Sequence, residues 1–443
     1  MLGYAVVTSN GMKNLIKQLV IWKLNILARM YLNRYKPVIV AVTGNVGKTS
    51  TKEAIATVLA RFKSVRSGKG NLNNEFGVPL TIIGDWADGY YDNGNSGLFW
   101  IKVLVLSFFR WFSYKNYPEV LVLEYGADKP GDIRILSKKY KPHIAVVTAI
   151  GEIPVHVEFF QSSQALAKEK SELVKHLESF DYAILNFDDQ VVLDMESKTK
   201  AKTMTYGFGE NAQVRVLSFD LRSDEEAKPV GVAFKIHYGG ENTFVPVKID
   251  GSLGKSQAYA VAAAAAVGLI FKMNLVDITE ALSNYHGPKG RLKILKGIKN
   301  TTIIDDTYNA SPSSTHLALE TLRSFSGHKV AVLGDMLELG EYTEQAHRSA
   351  GDLAGSFVDI LVCVGLRAKF IADSAGNEMP SGNIYTFDTS DEAKLKVQEL
   401  IKQGDVILVK GSQGARMEKI VEEIMAEPLR KKELLVRQGQ KWA

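Results

Sequence analysis

The chain has 443 residues, of which 46% are hydrophobic and 23% charged, and its net charge is +5. That length calls for about two or three domains with real cores, and so small a positive excess gives no argument for nucleic acid as a partner. A single cysteine, Cys363, excludes an internal disulfide and a cysteine-based metal centre and fits a reducing compartment.

Residues 12–36 interleave apolar side chains with Lys13, Lys17, Lys23, Arg29, Arg34 and Lys36. No small-residue cleavage site follows a long apolar core, which argues against a secretory signal. Val38-Ile39-Val40-Ala41-Val42 then reads as a buried strand, and Lys52 to Ala56 as the start of a helix. Between them stands Thr43-Gly44-Asn45-Val46-Gly47-Lys48-Thr49-Ser50-Thr51. A strand, a glycine turn and a helix make a nucleotide phosphate site: the glycines let backbone N–H groups turn inward, and the helix N-terminus adds partial positive charge. Lys48 supplies a full charge to the β- and γ-phosphates, and the Thr49 hydroxyl can hold magnesium. The common form of this loop has its first glycine where this chain has Val42, so the loop is a shortened variant.

Residues 98–112 are apolar almost throughout. As a helix they reach about 22 Å, short of the roughly 30 Å hydrocarbon core. Together with 12–36 they form either an interfacial, membrane-contacting pair or two helices packed on each other and on a core. Apolar runs at 120–123, 144–147, 183–185, 303–304, 330–333, 360–364 and 406–409, separated by helical patterns, predict an α/β protein with mostly parallel, doubly wound sheets. Glu124 ends the 120–123 strand, at the edge where open α/β sheets bind ligands, and can share a magnesium ion with Thr49. Asp188 and Asp189 follow the 183–185 strand in the same way, as a second ligand group or as strand-end punctuation. Between 212 and 250 the pattern turns to short alternating stretches, which predict an antiparallel patch, followed by a tightly packed alanine-rich helix over 258–270. The loop Gly287-Pro288-Lys289-Gly290 marks a boundary. The organisation expected is an amphipathic segment 1–36, a central domain 37–289 and a C-terminal domain 290–443. Asp128-Lys129-Pro130-Gly131 loosely resembles a GTPase switch, but no Asn-Lys-x-Asp guanine reader accompanies it.

The stretches 43–51, 70–81 (Gly-Asn-Leu-Asn-Asn-Glu-Phe-Gly-Val-Pro-Leu-Thr) and 123–132 (Leu-Glu-Tyr-Gly-Ala-Asp-Lys-Pro-Gly-Asp) resemble the central domain of the Mur ligases. Those at 305–312, 334–341 and 409–412 are similar to the branch of that family that adds D-alanyl-D-alanine. The resemblance implies a P-loop-type central ATPase domain, a C-terminal Rossmann-like α/β domain, and an ATP- and Mg2+-dependent ligase. Such an enzyme phosphorylates a peptide carboxylate and lets an amine attack the acyl phosphate, with no protein nucleophile.

By resemblance, ATP meets Thr43, Gly44, Asn45, Val46, Gly47, Lys48, Thr49 and Ser50 on one side and Arg291, Asp306, Tyr308 and Asn309 on the other. Magnesium goes to Thr49, Glu124, His156 and a carbamylated Lys170, with Lys168 the rival lysine. Lys48, His156 and Lys170 are the implied catalytic set, and Asn73, Asn74, Asp335, Glu338, His347 and Lys410 the implied substrate contacts. The implied substrates are a UDP-MurNAc-tripeptide and D-Ala-D-Ala, used in the cytoplasm, at the inner face of the membrane if 12–36 and 98–112 touch it.

Three features depart from the family pattern. Only 36 residues stand where a UDP-binding domain is usual, Ser256-Gln257-Ala258-Tyr259-Ala260 replaces a His-Asn-x-x-Asn, and Gln413 replaces an arginine. They keep two other expectations open: a Mur-like ligase acting on another carboxylate, of polyglutamate or cyanophycin type, and a nucleotide-binding protein without turnover.

Overall fold

Two sheets of β-branched and aliphatic residues organise the chain, and each ends where the other begins to contribute to a shared cleft. The computed structural model describes residues 9–70, 72–94, 96–127, 129–151, 162–239, 244–439 and 442.

Helix α1 (Ser9–Tyr35) leads into β1 (Val38–Thr43), α2 (Lys48–Leu59) and β2 (Val65–Ser67). Three helices follow, α3 (Gly77–Ile83), α4 (Ala87–Asn93) and α5 (Gly97–Ser113), before β3 (Val120–Glu124). Alternation then resumes with α6 (Asp132–Lys139), β4 (Ile144–Val147), α7 (Ser163–Lys175), β5 (Tyr182–Asn186), α8 (Gln190–Leu193) and β6 (Lys202–Gly207). Three longer strands, β7 (Val214–Ser223), β8 (Pro229–Tyr238) and β9 (Phe244–Asp250), precede α9 (Lys255–Ile270) and α10 (Leu275–Leu282).

The strand order is β2-β3-β1-β4-β5-β6-β7-β8-β9, parallel as far as β7 and antiparallel beyond it. The alternating stretch is therefore an extension of the parallel sheet. Each face of the sheet is covered, as parallel strands buried on both sides require. One layer packs α1, α3, α5, α6 and α7 on Leu121, Leu123 and Val147, and the other packs the alanines of α9 and the apolar side of α2 on Val40, Val42 and Val146.

The second sheet is formed by β10 (Lys293–Lys296), β11 (Thr302–Asp306), β12 (Lys329–Gly334), β13 (Ile360–Val364), β14 (Ile384–Phe387) and β15 (Val406–Lys410). Its order is β10-β11-β15-β12-β13-β14, with only β10 antiparallel. Its crossovers include α11 (Pro312–Arg323), α12 (Thr343–Gly355), α13 (Lys369–Ala375) and α14 (Ser390–Leu400), and α15 (Glu418–Ile424) follows β15.

The segments 12–36 and 98–112 do pack together. Tyr31 Oη donates to the Ser107 carbonyl and Tyr35 Oη to that of Trp111, both at 2.7 Å, while Trp111 Nε1 donates to Met30 O at 3.1 Å. Residues four apart on α1 thus meet residues four apart on α5, so the helices run parallel and side by side.

Candidate active site

The phosphate loop owes its shape to its two glycines. At Gly44 φ is 142° and a Cβ would collide with the Thr148 side chain; at Gly47 φ is 87°, the left-handed turn that opens α2. No acidic residue occupies the first turn of α2 and no side chain caps it, so its N-terminal partial charge is left for a ligand. Asn45 and Val46 are tied back to the end of β4 through Ala149, and Asn45 Nδ2 donates to Ile150 O at 2.6 Å. The Ser50 carbonyl accepts from Tyr285 Oη at 3.2 Å, which fixes the first turn from the α9 side.

Parallel pairing of β1 with β3 sets Val42 beside Glu124 and so delivers the carboxylate to the loop. Thr49 Oγ1 donates to Glu124 Oε2 and Asn73 Nδ2 to Oε1, each at 3.1 Å. Lys52, one turn further along α2, is 1% exposed; its Nζ lies 3.9 Å from Glu124 Oε2 and makes no hydrogen bond. Burial alone would raise the Glu124 carboxyl, yet Lys52, Lys48, the Asn73 amide and Arg291 hold it below the usual carboxylate range. A hydroxyl and an ionised carboxylate in contact are a hard oxygen pair suited to Mg2+, whose other ligands would be phosphate oxygens and water. Among the described residues no group of three His, Cys, Asp or Glu side chains forms a metal cage. His156 lies outside the described residues.

On α7, Glu169 accepts from the N–H groups of Gly131 and Ile133 at 2.9 and 2.8 Å, anchoring the start of α6. The next residue, Lys170, is buried and its Nζ donates to Gly44 O at 2.9 Å. Lys168 is exposed. Helix phase thus brings Lys170, and not Lys168, to the phosphate loop.

Opposite this wall, residues from the second sheet close a cleft of about 490 Å³. The loop side supplies Asn45, Lys48, Asn73, Asn74 and Glu124; the far side supplies Arg291, Tyr308, Asn309, Leu337, Glu338, Ser412, Gln413, Gly414 and Trp442. The Arg291 guanidinium lies 4.0 Å from the Tyr308 ring centroid, and its buried Nε makes no hydrogen bond.

Other residues singled out in the sequence stand behind this wall. Asp306 accepts from Lys410 Nζ at 2.6 Å and from Leu292 N at 3.2 Å, and Lys410 also donates to Asn309 O at 3.0 Å. Asp335 accepts from Ala368 N at 2.7 Å, at a turn where a Cβ on Gly365 would strike its carboxylate. His347 is enclosed: its Nε2 accepts from Met336 N at 2.9 Å, so its Nδ1 carries the proton donated to Thr343 O at 2.6 Å. Burial lowers its pKa, in keeping with that neutral tautomer. These four side chains, Asp306, Lys410, Asp335 and His347, brace the loops that present Asn309 and Glu338. Asp188 and Asp189 are likewise occupied, Asp188 by the N–H groups of Phe208 and Gly209 and by Tyr259 Oη, Asp189 as the N-cap of α8 and acceptor from Ile150 N.

Sequence reading assigned no site role to Lys52, Ser412, Gly414, Trp442 or Arg437. Arg437 donates to Glu418 Oε2 at 2.8 Å and to the carbonyls of Thr307 and Tyr308, clamping the loop that carries Tyr308 and Asn309. The signal available for Lys52 was its spacing: one turn after Thr49, it must share that residue's inward face.

A Mur ligase middle domain matches residues 109–268 and a Mur ligase glutamate ligase domain matches residues 290–413. The UDP-N-acetylmuramoyl-tripeptide--D-alanyl-D-alanine ligase of Bacillus subtilis (strain 168) is 31% identical over 407 residues, spanning 91% of this chain and 79% of its own. The chain belongs to the Mur ligase family. Among solved structures, MurF ligase from Thermotoga maritima in complex with ADP is similar with a TM-score of 0.73 at 27% identity, over 93% of this chain and 84% of that one. MurF from Acinetobacter baumannii is similar with a TM-score of 0.72 at 28% identity, over 90% and 79%. In this Mur ligase the cleft runs between the two sheets, so the phosphate loop and the Arg291–Tyr308 pair face each other across it.

Proposed function

We propose that this Mur ligase joins D-alanyl-D-alanine to a UDP-MurNAc-tripeptide in the cytoplasm, at the inner face of the membrane, using ATP and Mg2+. The observation that carries the reading is the single cleft in which Lys48 and Glu124 face Arg291, Tyr308 and Asn309. The peptide carboxylate attacks the γ-phosphorus of ATP, breaking the bond to ADP and forming an acyl phosphate. The dipeptide amine, having lost its ammonium proton, attacks the acyl carbon; inorganic phosphate leaves and an amide remains.

In this reading Lys48 neutralises charge on the β- and γ-phosphates, Thr49 and Glu124 hold Mg2+, and Arg291 contacts phosphate from the opposite wall. Mg2+ supplies Lewis-acid neutralisation of the phosphoryl oxygens. Asn73 keeps Glu124 oriented, and Asn74, Glu338 and Gln413 line the side open to the peptide and the incoming amine. His156 completes the metal set. Lys170 carries a carbamate: its buried ammonium beside a cation-rich loop is electrostatically opposed, whereas a carbamate there is attracted to metal. The unit 37–289 closes on 290–443 to complete the site.

The test is ADP release with the tripeptide substrate and a panel of amines. Release that depends on D-Ala-D-Ala supports the assignment, dependence on another amine or carboxylate redirects it within the family, and nucleotide binding without release removes it. For Lys170, a carbamate resonance after 13C-bicarbonate labelling is expected and should vanish in Lys170→Ala; its persistence there, or its loss in Lys168→Ala, would refute the assignment.

A further inference from the structure

Helices α1 and α5 each turn one apolar side into the core and another outward. On α1, Leu24, Ala28 and Tyr31 are fully buried, while Leu15, Leu19, Trp22 and Ile26, at helical spacing, are exposed. On α5, Phe99, Val103 and Ser107 are buried, while Leu98 (78% exposed), Ile101, Val105, Phe109 (63%) and Phe112 form a continuous outward stripe. Because the two helices run parallel and in contact, these stripes lie on one surface. Single exposed apolar residues are ordinary; a contiguous field of this kind marks an interaction surface.

The charge around it identifies the occupant. Residues 9–36 and 97–117 hold nine lysines and arginines and no acidic residue. A second copy of the chain would set that positive charge against itself in a two-fold interface. A bilayer with anionic headgroups complements all of it, requires no shape fit, and takes up Trp and Phe at its interface with Lys and Arg snorkelling at the rim. No described helix is long and apolar enough to cross a membrane, so the pair would lie in the interface plane. We propose that the α1–α5 face is a monotopic docking surface for anionic lipid bilayers.

The full chain should sediment with vesicles of phosphatidylcholine and phosphatidylglycerol, far less with phosphatidylcholine alone, and less as salt is raised. The triple variants L19S/W22S/I26S and I101S/F109S/F112S should each lower partitioning by about tenfold or more, with turnover on soluble substrate unchanged, which shows that the fold is intact. Equal partitioning onto both vesicle types, or undiminished partitioning by both triple variants, would overturn the proposal. So would a dimer in sedimentation velocity that both variants abolish.

Discussion

The two walls of the cleft balance charge in opposite ways. Around the phosphate loop, Lys48 and Lys52 flank the buried Glu124 and help keep it ionised. Across the cleft, Lys410 closes on Asp306 at 2.6 Å and Arg437 on Glu418 at 2.8 Å. The first wall sets Lys48 at the cleft, where a polyphosphate would neutralise it; on the second, these pairs fix the loops, and Arg291 is the cation turned to the cleft. Charge thus faces the cleft at Lys48 and Arg291, and is paired internally where loops must be fixed.

The comparison can be broken most forcefully at Lys48. Lys48→Ala should lower turnover about a thousandfold with little change in thermal unfolding, since a half-buried lysine at the cleft contributes little to the folded state. A large loss of stability with activity merely halved would reverse the assignment. On the other wall the ordering should invert. Lys410→Met leaves Asp306 buried without its cation, costing about 3–5 kcal/mol in urea unfolding, and pairing it with Asp306→Leu should restore much of that loss.

A smaller effect sharpens the electrostatics. Burial pushes the Asp305 carboxyl up to about 6 despite its bonds from Thr307. Between roughly pH 4 and 6 the folded chain therefore keeps a proton that the unfolded chain has lost, and stability falls as pH rises through that window, by about 2–3 kcal/mol in all. Asp305→Asn should lack this slope, so its stability relative to the unsubstituted chain should improve from pH 4 to 6 and then level; parallel curves would exclude a raised carboxyl. Smallest is Asn73→Ala, which removes one donor from Glu124 and should raise the Mg2+ concentration for half-maximal turnover by about tenfold, leaving kcat at saturating metal nearly unchanged.

Much of this arrangement was legible because it is local. A strand, two glycines and a helix lie within the stretch from Val38 to Leu59, and Glu124 follows from an apolar run ending in an acid. The period-2 stretch after Gln213 and the alanine-rich helix were equally readable, although not that the antiparallel strands would join the parallel sheet. What escaped depends on packing between distant segments. Asp306 reads as a strand-end ligand until Lys410, 104 residues later, arrives beside it in the adjacent strand. His347 reads, by resemblance, as a substrate contact, whereas the 335–343 loop folds back to use both its nitrogens. Arg437 and Trp442 sit in a segment without strong periodicity, and their roles exist only because the C-terminal end returns to the cleft.

One contact joins the two surfaces of the molecule. Lys17 on α1 lies 3.6 Å from Glu75 and 5.3 Å from the Phe76 ring centroid, and Phe76 packs on Trp100 of α5 at 5.5 Å. Asn73 and Asn74, immediately before, line the cleft. The loop that helps line the cleft is therefore also packed against the back of α1 and α5. If seating α1 and α5 on a bilayer shifts this loop, thermodynamic reciprocity fixes the size of the return effect: a factor gained in substrate affinity on the membrane is the same factor gained in membrane affinity when substrate is bound.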